Sequence, residues 1–320
     1  MQDDSNVFHP QLADLSTGKW LAKLAALSSE HGDFTPLGRR HFASLIDGNE
    51  TLLVSFETIQ GIRALSDDAT PLGWELHRAL GWSSMCIASD GDTWFRDDAI
   101  YAFFDSLIDD GAFDAYETVI FYGAGPCAYA AAAYSVASPG ARVVAIQPQA
   151  TLDPRVTEWD DRFTDMRRTD FTSRYGYAPD MLDAAEHAFV LYDPEETLDA
   201  MHAALFTRDN ATKFRLRYLG DAIQTHLIEM GMLYRILAKV AAGKLDAQSF
   251  AKLWRLRRDY PPYLRGLMSA TDADQRDVLT MALCENVTGR MNAPRFARRL
   301  KELQTPAGAQ PAADEQTASG

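Results

Sequence analysis

Cysteine is scarce in this 320-residue chain: three residues, Cys86, Cys127 and Cys284, stand far apart with no CxxC pair. That spacing argues against a disulfide framework and a structural zinc site. Long hydrophobic runs are missing too. The longest are about one strand in length, too short to span a bilayer. The seven histidines are scattered, without HExxH or a companion carboxylate cluster, so neither a metal nor another cofactor is expected. Basic residues are outnumbered: 31 Lys and Arg against 45 Asp and Glu leave a formal charge of −14, which speaks against non-specific nucleic-acid binding. The opening residues Met-Gln-Asp-Asp-Ser-Asn lack the basic start and apolar core of a secretory signal, so a cytoplasmic, membrane-free protein is expected. No segment repeats at a fixed period.

What is present is ordinary globular material, 47% hydrophobic and 24% charged, enough for one large core or a core with an appendage. Leu21, Leu24 and Leu27 share one face of a short helix predicted over 16–30. An alternating series follows. Strands are predicted at Thr51–Ile59, Ser84–Ser89, Thr118–Tyr122, Arg142–Gln147, His187–Tyr192 and Lys213–Tyr218, with helices at Asp98–Ile108, Ala128–Ser138 and Glu195–Phe206. Continuous apolar strands alternating with helices predict an α/β fold: a mostly parallel sheet covered by helices on both faces. From about residue 224 the pattern is wholly helical, and it carries an excess of Lys and Arg between Lys244 and Lys301. The expected organisation is a helical lead-in over 1–50, a sheet core over 51–225, an all-helical C-terminal region over 226–303 and a disordered tail over 304–320, with residues 1–10 disordered as well. The polar stretch Asp153–Asp183 reads as a lid or binding loop.

The stretch richest in chemical meaning is Val119-Ile-Phe-Tyr-Gly-Ala-Gly-Pro-Cys-Ala-Tyr-Ala-Ala-Ala-Ala-Tyr134, an apolar strand that ends in glycines and becomes an alanine-rich helix. Gly123-Ala-Gly125-Pro-Cys-Ala128 matches the letters of a dinucleotide fingerprint. Three features oppose that reading. Strands precede this one, the next strand runs into Gln147-Pro-Gln149 and not into an acid for a ribose hydroxyl, and Pro126 removes an N–H from the turn. Gly123–Ala131 with Gln147-Pro-Gln149 also resembles the strand–turn–helix of the α/β-hydrolase superfamily. It is most similar there to serine-type hydrolase-like proteins encoded with bacterial surface-polysaccharide genes, whose turn reads roughly G-S-S-M-G-G-Y-A-A. The resemblance covers about residues 50–230.

The resemblance implies a triad in the order Ser, acid, His, with the acid after one late strand and the histidine after the last. Asp193 and His226 occupy those places, which implies that Asp193 orients His226 as general base. At the nucleophile position stands Gly125, which has no side chain to attack a carbonyl. Asp193 is equally an N-cap and His226 an ordinary helix residue. Cys127, two positions on, is either a buried structural thiol or a substitute nucleophile at a helix start. The loop Ser89-Asp-Gly-Asp-Thr-Trp-Phe-Arg96 ends a strand at the same sheet edge. There Asp90, Trp94 and Arg96 read as ligand contacts, Trp94 by stacking and Arg96 by charge, or else as a polar turn. Arg162, Arg167 and Arg168 either close over an anion or pair with nearby acids.

The expected function is therefore binding of a small molecule or a protein partner at the carboxyl edge of the sheet, around Gly123, Gly125 and Gln149, without serine chemistry. The alternatives are a hydrolase or acyltransferase using Cys127, and a partner protein using the basic helices. The chain also resembles alphaproteobacterial proteins that carry the name phosphoadenosine phosphosulfate reductase. Those reductases have an S-G-G-x-D loop and a C-terminal E-C-G motif, whereas this chain has no Gly-Gly pair and its last cysteine lies in Leu283-Cys-Glu-Asn286. The sequence sets neither the ligand nor an oligomeric state.

Overall fold

The structure, a computed structural model, describes residues 10–305. The disorder expected for the first residues and for the tail falls mostly outside that range. Among the described residues, eight strands form one sheet in the order β1-β2-β4-β3-β5-β6-β7-β8. They are β1 Gly32–Leu37, β2 His41–Ile46, β3 Asn49–Thr58, β4 Trp82–Ser89, β5 Thr118–Ala124, β6 Arg142–Ile146, β7 His187–Tyr192 and β8 Ala211–Arg215. β1 with β2 and β2 with β4 are antiparallel; every other neighbouring pair is parallel. The helices are α1 Thr17–His31, α2 Ile59–Leu65, α3 Leu72–Leu80, α4 Asp98–Asp109, α5 Pro126–Tyr134, α6 Pro154–Thr157, α7 Ala178–Met181, α8 Thr197–Leu205, α9 Ile223–Glu229, α10 Leu233–Ala241, α11 Ala247–Leu253, α12 Pro261–Ala273, α13 Asp277–Thr288 and α14 Pro294–Gln304.

All eight residues of β4 are buried, as are Leu52 to Phe56 of β3. Burial at every position, not every second one, means that both faces of the central sheet are covered. On one side Phe56, Phe121 and Val143 pack with the alanines of α5 and with Phe104 of α4. On the other, Phe42, Ile46 and Cys86 pack with Trp20 and Leu24 of α1 and Trp74 of α3. This is a mostly parallel α/β sheet covered by helices on both faces, with a helical C-terminal region, as the alternation of strands and helices predicts.

Two strands escape the sequence reading. The segment over 1–50 is not only helical: β1 and β2 form an antiparallel hairpin that extends the sheet. β1 is polar and contains Pro36, which an edge strand tolerates because one row of its backbone groups has no neighbour. The wholly helical stretch also begins inside the sheet body. The chain divides into two compact units after Leu256, so α9, α10 and α11 belong with the sheet. The reason is visible in α10, which buries Leu233, Ile236, Leu237 and Val240. Arg142 at the start of β6 donates to its last carbonyls, those of Val240 at 2.8 Å and Ala241 at 2.6 Å, where a cation complements the helix dipole. In the second unit α12, α13 and α14 bury Leu264, Met268, Cys284, Val287 and Phe296. Among the described residues no helix is long and apolar enough to cross a membrane.

Candidate functional site

β5 runs out at Gly123-Ala124, the chain turns at Gly125, and α5 starts at once with Pro126. Each of the two glycines is required for a different reason. A Cβ on Gly123 would sit 2.2 Å from the carbonyl oxygen of Cys127, so the first turn of α5 closes directly onto the strand end. Gly125 has φ 58° and ψ −127°, a conformation that side-chain-bearing residues rarely adopt. Its N–H donates to Ile146 O at 2.8 Å, and its carbonyl accepts from Ala128 N at 2.9 Å. A Cβ there would meet nothing within 4 Å. The turn thus aims its apex at open space and places no atom in it. Pro126 fits the first helical position, where its fixed φ suits the helix, and contributes no N–H. Cys127 to Tyr134 are all buried, and the small alanines let a helix apolar on every side lie against the sheet.

The open space is a cavity of about 300 Å3. Gln147, Gln149 and Gln224 bring three side-chain amides to it, and Arg162, Asp199 and Thr225 add charge and a hydroxyl. Gln147 follows β6 with φ 51°, and its Nε2 donates to Asp199 Oδ2 at 2.8 Å. Gln149 accepts from Trp94 Nε1 at 3.2 Å and donates to Gln147 O at 3.2 Å. Arg162 bridges Asp199 at 2.7 Å and Asp160 at 2.8 Å. Burial alone would raise the Asp160 carboxyl, but hydrogen bonds from Arg162 and His202 outweigh it and hold the group below its ordinary value. His202 is fully buried; its Nδ1 accepts from Ala150 N at 3.2 Å and its Nε2 meets Asp160 Oδ2 at 2.9 Å. The Ala150 N–H needs an acceptor, so the ring proton belongs on Nε2 and His202 is neutral, in keeping with a pKa lowered by burial. This wall is a pre-ordered hydrogen-bonded scaffold in which Gln147 and Gln149 are themselves buried and bonded.

A smaller cavity of about 120 Å3 lies next to it, lined by Glu57, Thr58, Asp92, Cys127 and Gln224 among others. Burial, with the Glu57 and Asp92 carboxylates adding to it, holds the Cys127 thiol well above its ordinary range. A thiol in that setting is not the lowered, anion-forming cysteine of a helix start; its burial and two nearby carboxylates outweigh the dipole.

The structure brings Gly125 and Gln149 to one cavity, with Cys127 lining the adjacent one; Gly123 lies buried at the strand end and lines neither. The remaining candidates go elsewhere. Asp193 is 1% exposed and accepts three backbone amides, from Glu195 at 3.0 Å and from Leu219 and Gly220 at 2.8 Å each. Its carboxylate ties the end of β7 to the loop after β8. His226 lies within α9; Gln224 and Thr225 of that helix, and not His226, line the cavity over Gly125. Trp94 is 2% exposed, and Phe163 packs edge-on against its ring at 4.8 Å, so the expected stacking face is already taken. Arg96 donates to the carbonyls of Asp170 at 2.9 Å and Arg174 at 2.6 Å and to Ser173 Oγ at 3.0 Å. It pins the 170–174 segment and is not presented to an anion. Phe171, Ala178 and Leu182 from the expected lid are core residues. Asp90 is exposed, accepts from Gln60 Nε2 at 2.8 Å, and lines a different surface hollow. Sequence reading passed over Asp160, Asp199, His202 and Gln224. They carry no local motif, and only the topology gathers them.

No family model matches this chain, and none of the curated proteins does. Solved structures do show similarity. Est1E from Butyrivibrio proteoclasticus is 10% identical with a TM-score of 0.41, over 65% of this chain and 98% of that one. An esterase from Pyrobaculum calidifontis is 13% identical with a TM-score of 0.42, over 72% and 93%. Mouse alpha/beta hydrolase domain-containing protein 10 is 12% identical with a TM-score of 0.38, over 64% and 97%. Likeness at these values carries nothing about activity.

Proposed function

We propose that this is an α/β-hydrolase-like protein without serine chemistry that binds a small polar ligand in the cavity over Gly125. The observation that carries the reading is the apex of the β5–α5 turn. Gly125 faces open space with no side chain, and the next residue, Pro126, has no N–H. A nucleophile elbow needs a hydroxyl at the first position and, for its oxyanion hole, the backbone N–H of the second. Two adjacent residues therefore remove two separate parts of the acyl-transfer machinery, while the room for a ligand is kept. The neutral side chains of Gln147, Gln149 and Gln224 line the cavity, and Arg162 there is paired with Asp199, a setting that suits a neutral, hydroxyl- or amide-bearing ligand better than an anion. Cys127 supports the alternative weakly, because its thiol is buried and held protonated. Cys284, the last cysteine, is likewise buried, 3.9 Å from Met268 Sδ, which gives no support to sulfur chemistry there.

A fluorophosphonate probe tests this directly. The protein is expected to remain unlabelled, and Gly125→Ser is expected to remain unlabelled too, since a hydroxyl alone restores neither the missing N–H nor a base. Labelling of the unaltered chain at a rate typical of serine hydrolases sinks the reading.

A further inference from the structure

His41 is a buried titratable group with no part in the cavity over Gly125. It opens β2, and its side chain is 2% exposed. One ring nitrogen, Nε2, lies 2.8 Å from Thr93 Oγ1. The other, Nδ1, is buried and has no hydrogen-bond partner among the described residues. A buried polar nitrogen in that condition is uncommon and calls for an explanation.

The neighbours supply one. Thr93 Oγ1 accepts from Phe95 N at 3.1 Å, so its own proton is available to His41 Nε2. That places the single proton of the neutral ring on Nδ1. Asp97 Oδ2 stands 3.8 Å from it, beyond hydrogen-bond reach. Asp97 is fixed by its other oxygen: Oδ1 accepts from Ala99 N at 2.9 Å and caps α4, which leaves Oδ2 without a hydrogen bond of its own. A second proton on the ring must enter at Nε2. Thr93 Oγ1 then faces two donors, and its own proton loses its acceptor. The ring gains a charge at the same moment, with the Asp97 carboxylate close at hand. Protonation thus moves the ring's attachment from Thr93 toward Asp97, the two residues that bracket Trp94, Phe95 and Arg96.

We propose that His41 is a proton-operated latch on the 93–97 loop: neutral, it is held by Thr93; protonated, it closes on Asp97 and shifts the loop. Trp94 in that loop donates from Nε1 to Gln149 at 3.2 Å, and Gln149 lines the cavity over Gly125, so the latch reaches the cavity wall. Its bearing on ligand binding rests on the reading given above; the latch itself does not. Few charges surround the ring. Phe95 packs against it at 5.7 Å, and β1 and β4 place Leu37 and Ser89 beside it. Burial is the largest influence and holds the imidazole below its ordinary value; Asp97 at the α4 cap favours the proton, and Arg40, the preceding residue, opposes it. The unfolded chain therefore takes up this proton at a higher pH than the folded one. The resulting loss of stability begins as pH falls through the ordinary imidazole value and is complete below the lowered one.

The test is a pH titration of the intact, unliganded protein by NMR, reading the His41 ring, the Trp94 indole N–H and the Ala99 amide. All three are expected to titrate with one midpoint, below that of an ordinary imidazole. Asp97→Asn keeps a capping oxygen for α4 and removes the charge, and the His41 midpoint is expected to drop further. His41→Gln keeps a hydrogen bond to Thr93 and cannot be protonated. In it the Trp94 and Ala99 signals are expected to stop responding over that range, and the fall of melting temperature with acid to begin at lower pH. An unchanged or higher His41 midpoint in Asp97→Asn overturns the proposal. So does a ring that stays neutral until the protein unfolds, or a Trp94 signal that ignores the protonation of His41. None of these outcomes alters what the fluorophosphonate probe reports.

Discussion

The loop over 89–96 and the turn at Gly125 stand at the same edge of the sheet, and both are rich in residue types that contact ligands. In the loop, those residues are already committed. Trp94 packs on Phe163 and donates to Gln149, and Arg96 is consumed by carbonyls of the 170–174 segment. At the turn, a residue with no side chain faces empty space. The contrast teaches that a tryptophan and an arginine at a strand end mark a ligand site only when the fold leaves their faces and donors unspent. At Gly125 the fold leaves that space unspent.

The sharpest way to break this comparison is Trp94→Ala. If Trp94 is a core residue, its loss costs about 3–5 kcal/mol of stability, as large-to-small core changes of aromatic residues do. Chemical denaturation measures this, and a loss below about 1 kcal/mol would return Trp94 to the surface. Next come the two glycines. Gly123→Ala forces a methyl against the Cys127 carbonyl and is expected to cost about 3 kcal/mol or more, rising with side-chain size. Gly125→Ala and Gly125→Ser carry only backbone strain, about 1–3 kcal/mol, and are expected to cost the same as each other because nothing lies in the way. A size-dependent loss at Gly125 would mean that the space is not open. A loss of similar size is expected at Arg96. Arg96→Lys keeps the charge but loses the fork that reaches several acceptors at once, and is expected to cost about 1.5–3 kcal/mol, nearly as much as Arg96→Ala. Hydrogen exchange then rises first in residues 170–174. Full stability in Arg96→Lys would favour a role for the charge alone.

Much of the fold is legible in the residues themselves. β7 is an unbroken apolar run and is predicted to the residue at His187–Tyr192; β5 begins at the predicted Thr118. β1 is not legible, because Gly-Asp-Phe-Thr-Pro-Leu has neither alternation nor β-branched density and becomes a strand only because β2 offers it an edge. The β5–α5 turn is legible because strand, glycine and helix are consecutive. The walls of its cavity are not. Arg162, Asp199 and Gln224 come from three separate stretches, and their convergence is a property of strand order. Asp193 shows the same limit from the other side. Its place after a late strand is readable, but the backbone amides of Leu219 and Gly220 that occupy its Oδ2 arrive from beyond β8.

Gly125 and Pro126 also set a mutational distance. A hydroxyl in the cavity takes a single amino-acid replacement, Gly125→Ser. Replacing Pro126 by any other residue returns the neighbouring N–H, and that too is a single step. Neither step alone yields both a hydroxyl and its adjoining donor, and each disturbs the turn: the first strains φ at the apex, and the second gives up a helix start whose φ is already fixed. A lineage that drifts through one of them gains no attack chemistry and loses some stability.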